Sequence, residues 1–187
     1  MKNKTKTVAM LFAAVACTIC LLTACEKHDG VSYFKSKCTA ELNGQTYIDQ
    51  LPLTYIFAVE GQKTPSFAYS DGIATFRTAL CKGRGEAAVY YVDIFLFTDS
   101  LEELHGKEVG FERRDIEYAD GKPAEWEYAA YCNDNKLPYA KVFSCERMCG
   151  EIADKGTFRL TSDKNGNYSG TFILQFSEGT MKGEFFF

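Results

Sequence analysis

From Val31 onward, apolar and polar residues alternate in short runs, and most runs end in turn-forming residues. Cys38, Ala40 and Leu42 alternate with Thr39, Glu41 and Asn43, the period of a half-buried strand. Asn43-Gly44 marks a tight hairpin turn, after which Gln45–Asp49 return. Residues 53–59 read as a mostly apolar strand, and a loop holding Pro65 leads to a short run at 66–69 that turns at Asp71-Gly72. Residues 73–81 and 87–98 form a hairpin joined by Lys82-Gly83-Arg84-Gly85. The second of these strands is apolar on both faces except at Asp93, which predicts a central strand covered on both sides. Asp93 is then either a buried carboxylate or the partner of a nearby base such as Arg77.

The pattern breaks at residues 100–105, where Leu101 and Leu104 lie three apart ahead of Gly106, the spacing of one helical turn with a glycine stop. Residues 107–150 are the least regular. Strands are predicted over 115–120 and 124–131 around the turn Asp120-Gly121-Lys122-Pro123, then a polar loop over 133–138 and a strand over 139–145. Residues 147–155 read as a loop or a short helix. The last part is a meander: runs of alternating residues from Thr157, from Tyr168 and from Thr180, separated by Asp163-Lys164-Asn165-Gly166 and Glu178-Gly179. The expectation is an all-β domain, an antiparallel sandwich or half-open barrel with one short helical turn.

The first residues follow a different logic. Lys2, Lys4 and Lys6 form a positive segment, and residues 8–22 follow as an uncharged, mostly apolar run. Fifteen residues suit the apolar part of an export signal and fall short of a comfortable membrane span. Leu22-Thr23-Ala24-Cys25 resembles the lipobox of bacterial lipoproteins. That resemblance implies cleavage before Cys25 and lipidation of its thiol, anchoring the chain through acyl chains worth about 0.8 kcal/mol per buried methylene. An ordinary signal peptide cut near Ala24 and an uncleaved anchor helix are the alternatives. Glu26-Lys27-His28-Asp29-Gly30 looks like the export signal of Bacteroidetes surface lipoproteins, which implies the outer membrane and its surface. The expected organisation is a signal peptide over 1–24, a lipidated tether over 25–37 and a single β domain over 38–187.

Removing residues 1–24 from the 187 leaves 163, enough for one hydrophobic core. Of 21 Lys and Arg, three leave with the leader, so 18 stand against 25 acids and the mature charge is −7. That balance argues against nucleic acid and against a polybasic membrane patch. Cys38, Cys81, Cys132, Cys145 and Cys149 remain in the mature part. In an oxidising compartment they are disulfide candidates, with pairing unreadable and one thiol left over. No histidine accompanies Cys145 and Cys149, so a metal site is not expected.

The stretches Cys38–Gln45, Gly156–Leu160, Gly170-Thr171-Phe172 and Gly183-Glu184-Phe185 look like small β-rich, in part lipocalin-like, surface lipoproteins of Bacteroidales. The resemblance covers the two ends of the mature domain and implies a β sandwich or half-open barrel at the cell surface. It transfers no catalytic residue. Asp99-Ser100-Leu101 also resembles the O-glycosylation motif of Bacteroidetes exported proteins, which makes Ser100 a candidate acceptor.

Function is the least legible property. Tyr118, Trp126, Tyr128 and Tyr131 sit in or beside the irregular region, with Tyr139 close behind, and aromatics beside polar residues stack on sugars or line apolar pockets. Trp126 and Tyr128 would share one strand face. The competing explanation is that these rings fill the core. The expectation is a surface binding module for a small hydrophobic molecule or glycan, with an interaction subunit of an envelope complex as the alternative. His28 and His105 are the two histidines, and no nucleophile elbow, phosphate loop or paired carboxylate is present, so neither an enzyme nor a cofactor is expected. A transmembrane barrel fits the aromatic alternation at the C-terminus, but Lys182 and Glu184 suit a soluble sheet at least as well.

Overall fold

Alternation of apolar and polar side chains produces eleven antiparallel strands in the computed structural model, which describes residues 37–49, 65–83, 86–116, 124–162 and 168–186. They are β1 (Lys37–Leu42), β2 (Gln45–Ile48), β3 (Ser66–Ser70), β4 (Ile73–Cys81), β5 (Ala88–Phe97), β6 (Glu108–Glu112), β7 (Tyr139–Ser144), β8 (Cys149–Ile152), β9 (Lys155–Ser162), β10 (Tyr168–Phe176) and β11 (Gly179–Phe186). A 3-10 turn spans Glu102–Leu104 and a single α-helix among the described residues, α1, spans Glu125–Asp134. All strands belong to one sheet in the order β6-β9-β10-β11-β1-β2-β4-β5-β7-β8, with β3 added beside β4. The sheet curls into a half-barrel, so the fold is the barrel rather than the sandwich.

The turns match their residues. Asn43 and Gly44 have φ of 53° and 77°, and Asp71 and Gly72 have 52° and 78°, the paired positive values of a type I′ hairpin turn. Asn43 also donates from its side-chain amide to the Glu178 carbonyl at 2.8 Å, tying two neighbouring hairpin tips together.

The concave face is filled by aromatic rings. Phe76 is fully buried, and its ring lies 4.5 Å from Phe185, 5.6 Å from Phe172 and 5.7 Å from Phe158, centroid to centroid. Three phenylalanines stand directly across the strand pairing from a glycine: Phe185 opposite Gly170, Phe172 opposite Gly183, and Phe111 opposite Gly156. A Cβ on any of these glycines would collide with the facing ring, at 2.6 Å for Gly156 and Phe111. The missing side chain is the space the ring occupies, which gives close packing across the barrel.

β5 is central, between β4 and β7, and is covered on both faces. Val92, Ile94 and Leu96 point into the barrel, while Phe95 and Phe97 pack under α1 with Tyr128, Ala129, Cys132, Tyr139 and Ile152. Asp93 is the ion-pair partner of Arg77, 2.6 Å away, and the register continues to Lys141, which pairs with Glu125 of α1 at 2.8 Å. At the sheet ends, the connector between β8 and β9 acts as a stitch. The Ala153 N–H donates to Ala140 O of β7, and the Asp154 N–H donates to Gln175 O of β10.

Four expectations change. Residues 124–131 are not a strand but the start of α1. Tyr128, Ala129 and Cys132 face the sheet together, and the Glu127 carboxylate accepts the Ala124 N–H at 2.8 Å, closing the first turn. Asp115 and Ile116 are irregular, and the rest of the strand expected over 115–120 lies outside the described residues. Residues 147–155 hold a turn, β8 and the start of β9 rather than a loop or helix. No disulfide joins Cys38, Cys81, Cys132, Cys145 and Cys149: the first three are buried on β1, β4 and α1 and the other two are half-exposed. The strand expected over 53–59 and the whole of 1–36, with Cys25, lie outside the described residues.

Because the Gly183 site is occupied by the Phe172 ring, Gly183→Ala should lower stability by about 1–3 kcal/mol. Gly110 has open space where a Cβ would stand, so Gly110→Ala should stay within about 0.5 kcal/mol. Urea midpoints of the two variants check this; equal midpoints would refute the role given to the glycine–ring pairs.

Candidate functional site

With the interior occupied, concave surface must be sought on the outside, and it lies along β6. On the outward face, Gly110, Thr157 and Ile173 form one cross-strand row, and Glu112, Lys155, Gln175 and Thr180 form the next. These rows line a shallow groove of about 570 Å³. Its one large exposed apolar side chain is Ile173, at 42 % exposure. A second depression, of about 320 Å³, is lined by Glu112, Arg113, Arg114, Tyr128, Leu137 and Pro138. The two share Gly110, Phe111 and Glu112, so they adjoin at β6, where Gly110 has no side chain, and are treated together as one trough.

The far end of the trough is held by backbone bonds. The Arg113 N–H donates to the Asp154 carbonyl at 2.6 Å, which ties the exit of β6 to the β8–β9 stitch. The Arg114 N–H donates to the Tyr128 hydroxyl at 2.9 Å, and the Arg113 guanidinium lies over the Tyr128 ring at 5.5 Å. Burial raises the Tyr128 phenol above its ordinary pKa, with the bond from Arg114 acting in the opposite sense. The phenol therefore stays neutral and serves as a fixed acceptor and stacking plane. No described carboxylate lies within ion-pair distance of Arg113, Arg114 or Lys155.

The aromatic candidates separate. Tyr128 is in the trough. Trp126 is not beside it, because two helical residues are about 200° apart around the axis; Trp126 is 69 % exposed on the opposite side of α1. Tyr131 is half-buried, 6.3 Å from Tyr128, and packs against the small core under the helix. Tyr139 is buried and stacked on Phe95 at 4.6 Å, and burial pushes its phenol up to about 12. Tyr118 lies outside the described residues. Ser100 is half-buried in the loop before the 3-10 turn, with its carbonyl accepting from the Thr98 hydroxyl at 2.7 Å.

Sequence reasoning missed Arg113, Arg114, Gly110 and Ile173. The available signal was two adjacent arginines in a domain of net negative charge. Comparison of the chain with protein-family models, with curated proteins and with solved structures finds no match.

A second polar cluster sits at the tip between β7 and β8. Arg147 reaches Ser177, Cys149 and Glu151 at 2.9–3.2 Å, and the Tyr90 hydroxyl donates to Glu178 at 2.5 Å. Arg147 also lies 3.3 Å from Glu178 Oε1, which accepts no hydrogen bond among the described residues, so the cluster joins the β7–β8 and β10–β11 turns as a structural clasp.

Cysteine chemistry follows from burial. Cys38 is 1 % exposed and its thiol is pushed up to about 12, mainly by desolvation. An unfolded thiol ionises near its ordinary 9.0, whereas the native one keeps its proton. Stability should therefore fall as pH rises from the unfolded value towards the folded one. Cys38→Ala should flatten that decline in urea titrations run between about pH 8 and about pH 10.5. Iodoacetamide mapped by mass spectrometry should label half-exposed Cys145 and Cys149 in the native protein, and Cys38, Cys81 and Cys132 only after unfolding.

Proposed function

We propose that the chain is a lipid-anchored outer-membrane protein, displayed at the cell surface, whose β domain binds a small molecule or glycan on the outside of its barrel. The observation that carries this reading is the filled interior: Phe76, Phe158, Phe172 and Phe185 occupy the volume that an enclosed ligand would need. Concave surface is offered instead by the trough across β6, whose two parts fall within or near the size range of ligand sites. The lipobox-like Leu22-Thr23-Ala24-Cys25 supports the anchor, and the charged residues after it support surface display.

A second reading, an interaction subunit of an envelope complex, is favoured by one observation. Trp126 and Met148 are 69 % and 75 % exposed, and large side chains of this kind are enriched at protein interfaces.

Cys25→Ser should abolish incorporation of labelled palmitate and move the protein into the soluble fraction; retained label would remove the anchor. A panel of glycans and amphiphiles titrated into isotope-labelled domain should shift resonances of Gly110, Arg114 and Tyr128. Shifts centred on Phe76 and Phe172 would place the ligand inside the barrel and overturn the exterior site.

A further inference from the structure

The trough has an internal polarity that its size alone does not convey. Resting on the exterior-binding reading above, we infer that its ligand is an anionic amphiphile: one carboxylate or sulfate head joined to an apolar body. The lining contains Arg113, Arg114 and Lys155 against the single acid Glu112, in a mature chain whose overall charge is −7. Among the lining side chains this is an excess of two positive charges, flanked in the chain by Asp115 and Asp154, and it favours an anionic head seated within the trough itself. None of the three cations is within ion-pair distance of a carboxylate among the described residues. The cations lie towards the β6 exit and the flank of the groove, and the stretch between them carries exposed Ile173.

That stretch is formed by Ile173 and the bare backbone of Gly110 and Gly156. Gly156 is barred from carrying a side chain because the Phe111 ring and the Ile173 carbonyl each stand 2.6 Å from where its Cβ would be. Gly110 has no such obstruction, so its bareness serves no packing need inside the fold. An apolar body laid from Ile173 over Gly110 would place its head beside Arg114 and the Arg113–Tyr128 stack. A neutral sugar could accept hydrogen bonds from the cations but would leave their charge unanswered. A purely hydrophobic molecule would leave the guanidiniums unanswered.

Decanoate serves as the probe, with decan-1-ol lacking the charge and acetate lacking the body. Isothermal titration of the folded domain should show decanoate binding at least about tenfold more tightly than either comparison compound. Gly110→Trp fills the saddle of the trough from an exposed, unstrained position. It should abolish decanoate binding while leaving the circular dichroism spectrum and thermal midpoint of the parent. Arg114→Gln, a second exposed change, should weaken decanoate about tenfold and leave decan-1-ol unaffected. Equal affinity for decanoate and decan-1-ol, no decanoate binding at all, or undiminished binding by folded Gly110→Trp would each overturn the inference. If instead a neutral glycan binds and Gly110→Trp blocks it, the exterior site stands and the anionic amphiphile is refuted. If a ligand binds and Gly110→Trp leaves it untouched while interior resonances shift, both readings fall.

Discussion

Three cross-strand contacts, each a phenylalanine ring lying over a glycine, govern the rest of this structure. A curled sheet brings its concave faces together, and something must occupy the volume between them. Rings from β6, β10 and β11 do so by folding flat over the opposing strands, which is sterically allowed because residues 156, 170 and 183 carry no Cβ. Phe76, reaching in from β4, completes the stack. The result is a half-barrel whose concave side is occupied by buried rings in mutual contact. Surface relief is thereby left to the outside, where edges, loops and the helix supply it.

The outer surface is organised by a chain of local constraints. α1 covers the hydrophobic outer face of β5 and β7, and this places Tyr128 at the end of β6. The β8–β9 connector holds the backbone of Arg113 while Tyr128 holds that of Arg114, so two flexible cationic side chains start from fixed points. The ionic row from Arg77 through Asp93 and Lys141 to Glu125 runs beneath the helix start. Such half-exposed pairs contribute at most about 1 kcal/mol each, so they orient the helix more than they stabilise it.

Strand grammar was readable wherever pairing is local. The hairpins at Asn43-Gly44 and Asp71-Gly72 and the terminal meander alternate cleanly because one face is buried and the other wet. The 3-10 turn at Glu102–Leu104 was legible from Leu101, Leu104 and Gly106 for the same reason. α1 was not, since Trp126, Tyr128 and Ala130 also fit a period of two. What decides for helix is the surface under Tyr128, Ala129 and Cys132, built by Phe95 and Phe97 some thirty residues earlier, and no local pattern carries that. The site was half legible. Tyr128 stood among the aromatic candidates, but exposure separates it from Trp126 only once the helix is known. Gly110 has no distinguishing mark in the sequence, because its meaning lies in what does not stand above it. Disulfides were expected from the compartment; the buried thiols instead sit on three different elements, β1, β4 and α1.

The position of β1 has a temporal meaning as well as a spatial one. It lies between β2 and β11, with Lys37 beside Phe186. A polypeptide made from its amino end presents β1 early and β11 last of the described strands. Until that final segment has arrived, β1 lacks one of its two neighbours and the Phe172 and Gly183 surfaces have not met. The architecture therefore postpones its own closure until β11 is present, because the β1–β11 pairing joins the two ends of the described domain.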